Sequence, residues 1–99
     1  MPEQSSTLAA RRLSLLIANS LLSYTNQARV VEADGVTLDA LTRDLDRKFP
    51  GIRFRIIDEH QRVRRHIKLF VNHDQADDDL TTPLRDNDEV MIVAALSGG

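Results

Sequence analysis

Apolar residues recur along this chain at two spacings. Leu38, Leu41, Leu45 and Phe49 fall three or four residues apart, the interval that lines one face of an α-helix. Asp44, Asp46, Arg47 and Lys48 fill the positions between them. The pattern predicts a helix over residues 37–49 with a buried leucine stripe. Both of its ends carry signals. The Thr37 hydroxyl can accept from a free first-turn amide, Asp39 puts an anion where the helix dipole favours one, and Pro50-Gly51 stops the run. Elsewhere the spacing is two. Ile67, Leu69 and Val71 predict a strand over 67–72, and Val90, Ile92 and Ala94 predict another over 89–95. Leu13, Leu15 and Ile17 also alternate. Leu8, Arg11, Arg12, Leu15 and Leu16 fit a helix as well, so spacing leaves residues 8–23 open between the two. Val30 and Val31 centre a short strand over 28–33, closed by Asp34-Gly35. Ile52, Phe54 and Ile56 alternate with Arg53 and Arg55, which reads as a strand or a short irregular turn. Residues 19–27, 58–62, 73–79 and 85–88 are polar and turn-like.

The order is strand, strand, helix, strand, strand. It predicts an α+β fold, with a mixed sheet of four to five strands and one main helix, about residues 37–49, packed on one face. The first and last strands would lie parallel at the centre, which is the β-grasp, ubiquitin-like arrangement. The expected core is Leu15, Ile17, Val30, Leu38, Leu41, Leu45, Ile67, Leu69, Val90 and Ile92.

Size and charge narrow the function. Ninety-nine residues make one core and leave little room for a deep catalytic pocket of about 300 Å³ or more, so a carrier or binding module is favoured over an enzyme. Thirteen Lys and Arg against fifteen Asp and Glu give a net charge of −2, the wrong sign for a nucleic-acid footprint. There is no cysteine, so disulfides, thiolate metal ligands and thiol nucleophiles on this chain are excluded. The apolar run at 15–18 is far short of the roughly 20 residues of a membrane span. A cytoplasmic protein, monomeric when free, with neither membrane nor nucleic acid as partner, is the expectation.

Three groups of residues invite chemistry. His73, Asp74, Asp77, Asp78 and Asp79 are acidic, but their spacing matches neither a calcium loop nor a zinc signature, and a solvated turn without metal is expected. Arg53, Arg55, Arg62, Arg64 and Arg65, with His60 and His66, form a basic segment. It reads as a solvated face balancing the acidic loops, or as a docking surface for an acidic partner. Tyr24 is expected to cap the core with its hydroxyl exposed. No Ser-His-Asp spacing, phosphate loop or dinucleotide fingerprint is present, so no catalytic residue and no bound cofactor is assigned.

The C-terminal stretch is the most informative. A strand reaching residue 95 runs into Leu96-Ser97-Gly98-Gly99. Two residues without side chains can thread a narrow tunnel on a second protein. What they deliver is the Gly99 carboxylate, ionised at neutral pH with a pKa of about 3.5. An oxide leaves poorly, so the carboxylate must be activated before a nucleophile can displace it, and ATP can do this by forming an acyl-adenylate.

The residues Asp88-Glu89-Val90-Met91-Ile92-Val93-Ala94-Ala95-Leu96-Ser97-Gly98-Gly99 resemble the end of the ThiS/MoaD family of β-grasp sulfur carriers. Leu21-Leu22-Ser23-Tyr24-Thr25-Asn26-Gln27 is similar to the loop after that family's first strand, though without a glycine often found near Asn26. Phe70-Val71-Asn72 and Phe49-Pro50-Gly51-Ile52 are similar to its later strand and its helix end. The resemblance spans about residues 13–99, favours a strand over residues 12–18, and leaves 1–11 as a disordered extension. It implies a β-grasp domain over 12–95 and a flexible tail over 96–99. It also implies a carrier rather than a catalyst. A ubiquitin-activating-like adenylating enzyme would activate Gly99 with ATP and magnesium while Leu96, Ser97 and Gly98 thread into it. A persulfide donor would leave a thiocarboxylate, and a sulfur-acceptor enzyme would use it. Two alternatives share the fold: a protein modifier joined through Gly99 to lysines, and a non-covalent interaction module.

Overall fold

The computed structural model describes residues 12–76 and 79–94. Five strands form one mixed sheet: β1 (Arg12–Leu16), β2 (Val30–Asp34), β3 (Ile67–Val71), β4 (Asp74–Gln75) and β5 (Glu89–Ala94). Their spatial order is β2-β1-β5-β3-β4. The outer pairs are antiparallel, and β1 runs parallel to β5 through Ser14–Glu89, Leu15–Val90 and Leu16–Met91. Helix α1 (Leu38–Lys48) lies on one face and a one-turn helix, α2 (Ile52–Ile56), follows it. The structure thus has the α+β, β-grasp architecture that the element order predicts.

The cap on α1 forms as expected, with the Ala40 N–H donating to the Thr37 hydroxyl at 3.2 Å. Two further first-turn amides are satisfied from outside the helix. Leu38 N–H donates to the Thr82 carbonyl at 3.2 Å and Asp39 N–H to that of Leu80 at 2.9 Å, so the 80–84 segment is laced to the helix start. Leu38, Leu41 and Leu45 are fully buried against Leu13, Leu15, Ile67, Leu69, Val90 and Ile92.

Four local expectations are corrected. Val30 is not in the core. It is 58% exposed, and Val31 and Ala33 point inward instead, because β2 pairs Leu15 with Val31 and Leu13 with Ala33. Residues 52–56 form a helical turn, neither a strand nor an irregular turn, with Ile52 and Ile56 buried one turn apart and Phe54 in solvent. Residues 19–25 form a 3-10 helix, more regular than a polar turn. The stretch 73–79 contains β4, which pairs with Phe70 and Val71.

Candidate functional site

The predicted site residues Leu96, Ser97, Gly98 and Gly99 lie outside the described residues, as do residues 1–11, Asp77 and Asp78. What the structure shows is how β5, the strand that leads to them, is held. It is paired on both sides, to β1 along its first half and to β3 along its length from Val90 to Ala94. Its start is clamped by side chains. Asn72 Nδ2 donates to Asp88 Oδ1 at 2.8 Å, and the Glu89 N–H donates to Asn72 Oδ1 at 2.9 Å. Asp88 Oδ2 accepts from the Arg85 N–H at 2.8 Å, and the Asn72 N–H donates to the Glu89 carbonyl at 2.8 Å. Asn72 adopts φ 51°, a left-handed angle that asparagine tolerates better than most residues. Two of the stretches singled out in the sequence, Phe70-Val71-Asn72 and Asp88-Glu89-Val90, therefore meet in one hydrogen-bonded clamp.

The other two stretches also meet. The 3-10 helix ends at Asn26, in the left-handed region at φ 55°, and the following Gln27 is left-handed as well. Asparagine thus meets the turn geometry at the position where the resemblance notes a missing glycine. The buried Thr25 hydroxyl donates to the Leu22 and Ala28 carbonyls. Tyr24 packs its ring beside Gly51, where an added β-carbon would sit 3.2 Å from the ring edge. Gly51 has φ 98°, and Asp46 Oδ1 accepts from both the Gly51 and Arg53 amides. The turn between the helices is thereby fixed against the loop that follows β1. Tyr24 is part-buried against the core with the Arg55 guanidinium 6.0 Å from its ring centroid.

The basic segment divides in two. Arg53, expected on a solvated face, is only 14% exposed. It donates to Asp39 Oδ1 at 2.8 Å, to the Thr42 hydroxyl and to Gln61. Partial burial opposes ionisation of Asp39, but the hydrogen bonds and charges of Arg43 and Arg53 outweigh it and hold the carboxyl below its ordinary pKa. Sequence spacing gave no signal of this network, since its partners come from α1, α2 and the loop beyond. Arg64 does stay at the surface. Its guanidinium lies 4.4 Å from the Phe54 ring centroid, and its Nε donates to the Phe54 carbonyl at 2.6 Å. Asp58 ties off the loop between them. The Arg62 and His60 amides donate to its carboxylate and hold its pKa low. Among the described residues no three His, Asp or Glu side chains are grouped to hold a metal, and no helix is long and apolar enough to cross a membrane.

The ThiS family's sequence pattern matches residues 15–99. The chain belongs to the ThiS family. The match takes in all four of the stretches just described and runs through Gly99. The sulfur carrier protein CysO of Mycobacterium tuberculosis is 30% identical over 91 residues, which cover 88% of this chain and 98% of that protein. The solved Amycolatopsis orientalis BexX/CysO complex contains a chain similar to this one, with a TM-score of 0.80 and 27% identity over 88% of this chain and 99% of that one. SAMP1 of Haloferax volcanii, at 20% identity over 89% of this chain and 99% of that one, shares the fold with a TM-score of 0.75. The ThiS-family match and the strand order agree on the β-grasp.

Proposed function

We propose that this protein is a sulfur carrier, with Gly99 as the atom-bearing end. The observation that carries this is the family match running unbroken from β1 to Gly99. The near-complete coverage of a relative named as a sulfur carrier supports it. In this reading an adenylating partner transfers AMP from magnesium-bound ATP to the Gly99 carboxylate, releasing pyrophosphate. A persulfide sulfur then attacks the acyl carbon and AMP leaves. A thiol cleaves the resulting acyl persulfide, leaving a thiocarboxylate on Gly99 and a disulfide on the donor. An acceptor enzyme takes that sulfur as a nucleophile. Holding the sulfur on main chain explains how a chain without cysteine can carry it.

The test is ATP–pyrophosphate exchange with the adenylating enzyme of the same host, followed by intact-mass analysis. Wild type should support exchange and show a sulfur-for-oxygen mass shift. Gly98→Val and Gly99→Val should block exchange, because a β-carbon obstructs a tunnel built for bare backbone and narrows the allowed angles. Deleting Gly99 should do the same, since it draws the carboxylate back about 3.5 Å. Undiminished exchange by the deletion variant would refute the assignment of Gly99. Isopeptide conjugates in place of a thiocarboxylate would make the protein a modifier.

A further inference from the structure

The charges of the sheet are sorted along its strands. At the end where β5 begins lie Asp74, Asp86, Asp88 and Glu89, which outnumber the neighbouring Arg85. At the other end β5 finishes with Ala94 opposite Ile67. Arg64, Arg65 and His66 immediately precede Ile67, and the Ile67 N–H donates to the Arg64 carbonyl at 2.9 Å. Arg29, just before β2, reaches the same end, because its carbonyl accepts from the Ile17 N–H beyond β1 at 2.7 Å. About 17 Å of strand separates the two ends. The arginines also differ in how they are used. Arg43, Arg47 and Arg53 are ion-paired to carboxylates of α1. Arg29 donates to the neutral Asn19 Oδ1 at 2.9 Å and Arg64 stacks on Phe54, contacts that leave their charge uncompensated.

An independent feature lies at that basic end. Pairing of β1 with β5 stops at Leu16–Met91, although both chains continue. The strands part, and an open cleft of about 620 Å³ forms between the turn after β1 and the last residues of β5. Its walls include Leu16, Val93 and Ala94, with Arg29 and His66 at the margin. Leu16 and Val93 are both more exposed than a buried strand residue would be, at 37% each.

We infer that this cleft with its basic margin is the docking site for an acidic lip, an apolar side chain flanked by carboxylates, on the protein that receives the Gly99 tail. The inference rests on the sulfur-carrier reading, since it is the tail that brings the partner to this end of the sheet. Charge complementarity selects the partner's chemistry. The positive charges of Arg29, Arg64 and Arg65 around a strand end attract carboxylates, while the acidic far end repels them, so the carrier arrives tail-first. The cleft accepts the apolar anchor. Nucleic acid is the other polyanion such a margin could meet, but the net charge of −2 opposes it.

The test measures exchange kinetics with the host's adenylating enzyme at several salt concentrations. The doubly reversed variant Arg29→Glu/Arg65→Glu should raise the KM for the carrier at least tenfold at low salt, with kcat within twofold of wild type. Its KM should also lose the salt dependence that wild type shows. Arg47→Glu/Arg62→Glu supplies the same change of charge elsewhere, since Arg47 is exposed on α1 and Arg62 lines a groove beside Asp39 and Leu80 on the helix side, and it should leave KM within twofold. Circular dichroism checks that each variant folds. An Arg29→Glu/Arg65→Glu variant with no larger KM than Arg47→Glu/Arg62→Glu, or a wild-type KM indifferent to salt, would overturn the inference while leaving the carrier reading intact. No exchange by wild type would remove the carrier reading and the docking site with it.

Discussion

Gly35 sits where β2 gives way to α1, and its role is steric. A β-carbon there would lie 2.4 Å from the Leu41 nitrogen and 2.6 Å from its α-carbon, well inside van der Waals contact. Backbone atoms of a packed helix cannot swing aside as a side-chain tip can. Gly35→Ala should therefore push the strand–helix connection apart and cost about 1–3 kcal/mol, the usual range for overpacking, read as a lower urea midpoint. Asp44 makes the complementary case for charge. Its side chain is 9% exposed, pairs with Arg47 and Lys48, and accepts the Asp34 N–H at 2.8 Å. Burial raises its pKa, but the Asp34 N–H and the two cations outweigh that and hold it below the ordinary value. A carboxyl with a depressed folded pKa contributes stability that is fully present above its unfolded value of about 3.9 and is lost as pH falls through the folded value. Wild type should lose urea resistance below about pH 4. Asp44→Asn should be weaker at neutral pH, by about 1–3 kcal/mol, and should show a shallower loss on acidification. A wild-type acid limb as steep in the variant would show that Asp44 is not the group responsible.

At the scale of elements, α1 was legible because several signals agree: the leucine stripe, the Thr37 cap, Asp39 in the first turn, and Pro50-Gly51 at the end. Leu41→Ala should cost about 2–5 kcal/mol, measured by denaturant unfolding, since Leu41 is fully buried between helix and sheet. α2 was not legible. In Ile52-Arg53-Phe54-Arg55-Ile56 the isoleucines are four apart, which suits a helix, and each residue also alternates, which suits a strand. Five residues cannot separate the two periods. What decides is tertiary: Asp46 reaches from α1 to cap the turn, and Gly51 takes the left-handed angle that starts it. This assigns opposite fates to two similar residues. Ile56→Ala should cost about 2–5 kcal/mol, whereas Phe54→Ser, at a residue 55% exposed, should change the urea midpoint little. Equal losses would restore the alternating strand. The parity of β2 was hidden for a related reason. Val30 and Val31 are adjacent and equally apolar, so only the pairing with Leu13 and Leu15 says which one faces inward.

Across the whole molecule, strand order followed from element order, because a parallel first and last strand is the compact way to close a sheet with one helix crossing it. The candidate site was legible as a motif before it was legible as a place. The resemblance pointed to four stretches, but that they would pair off as Asn72 with Asp88 and Tyr24 with Gly51 depends on contacts between distant residues, and no local spacing encodes those. The central pairing of β1 with β5 has one further consequence, and it concerns synthesis. Ser14 waits for Glu89, more than seventy residues later in the chain. A nascent chain on the ribosome has its first strand, its helix and its apolar stripe long before the strand that completes the sheet. Leu15 and Leu69 stay uncovered until then, a span in which chaperones and proteases compete for them. Folding is thus deferred until β5 has been made, and whatever follows β5 in the chain is offered only by a finished domain.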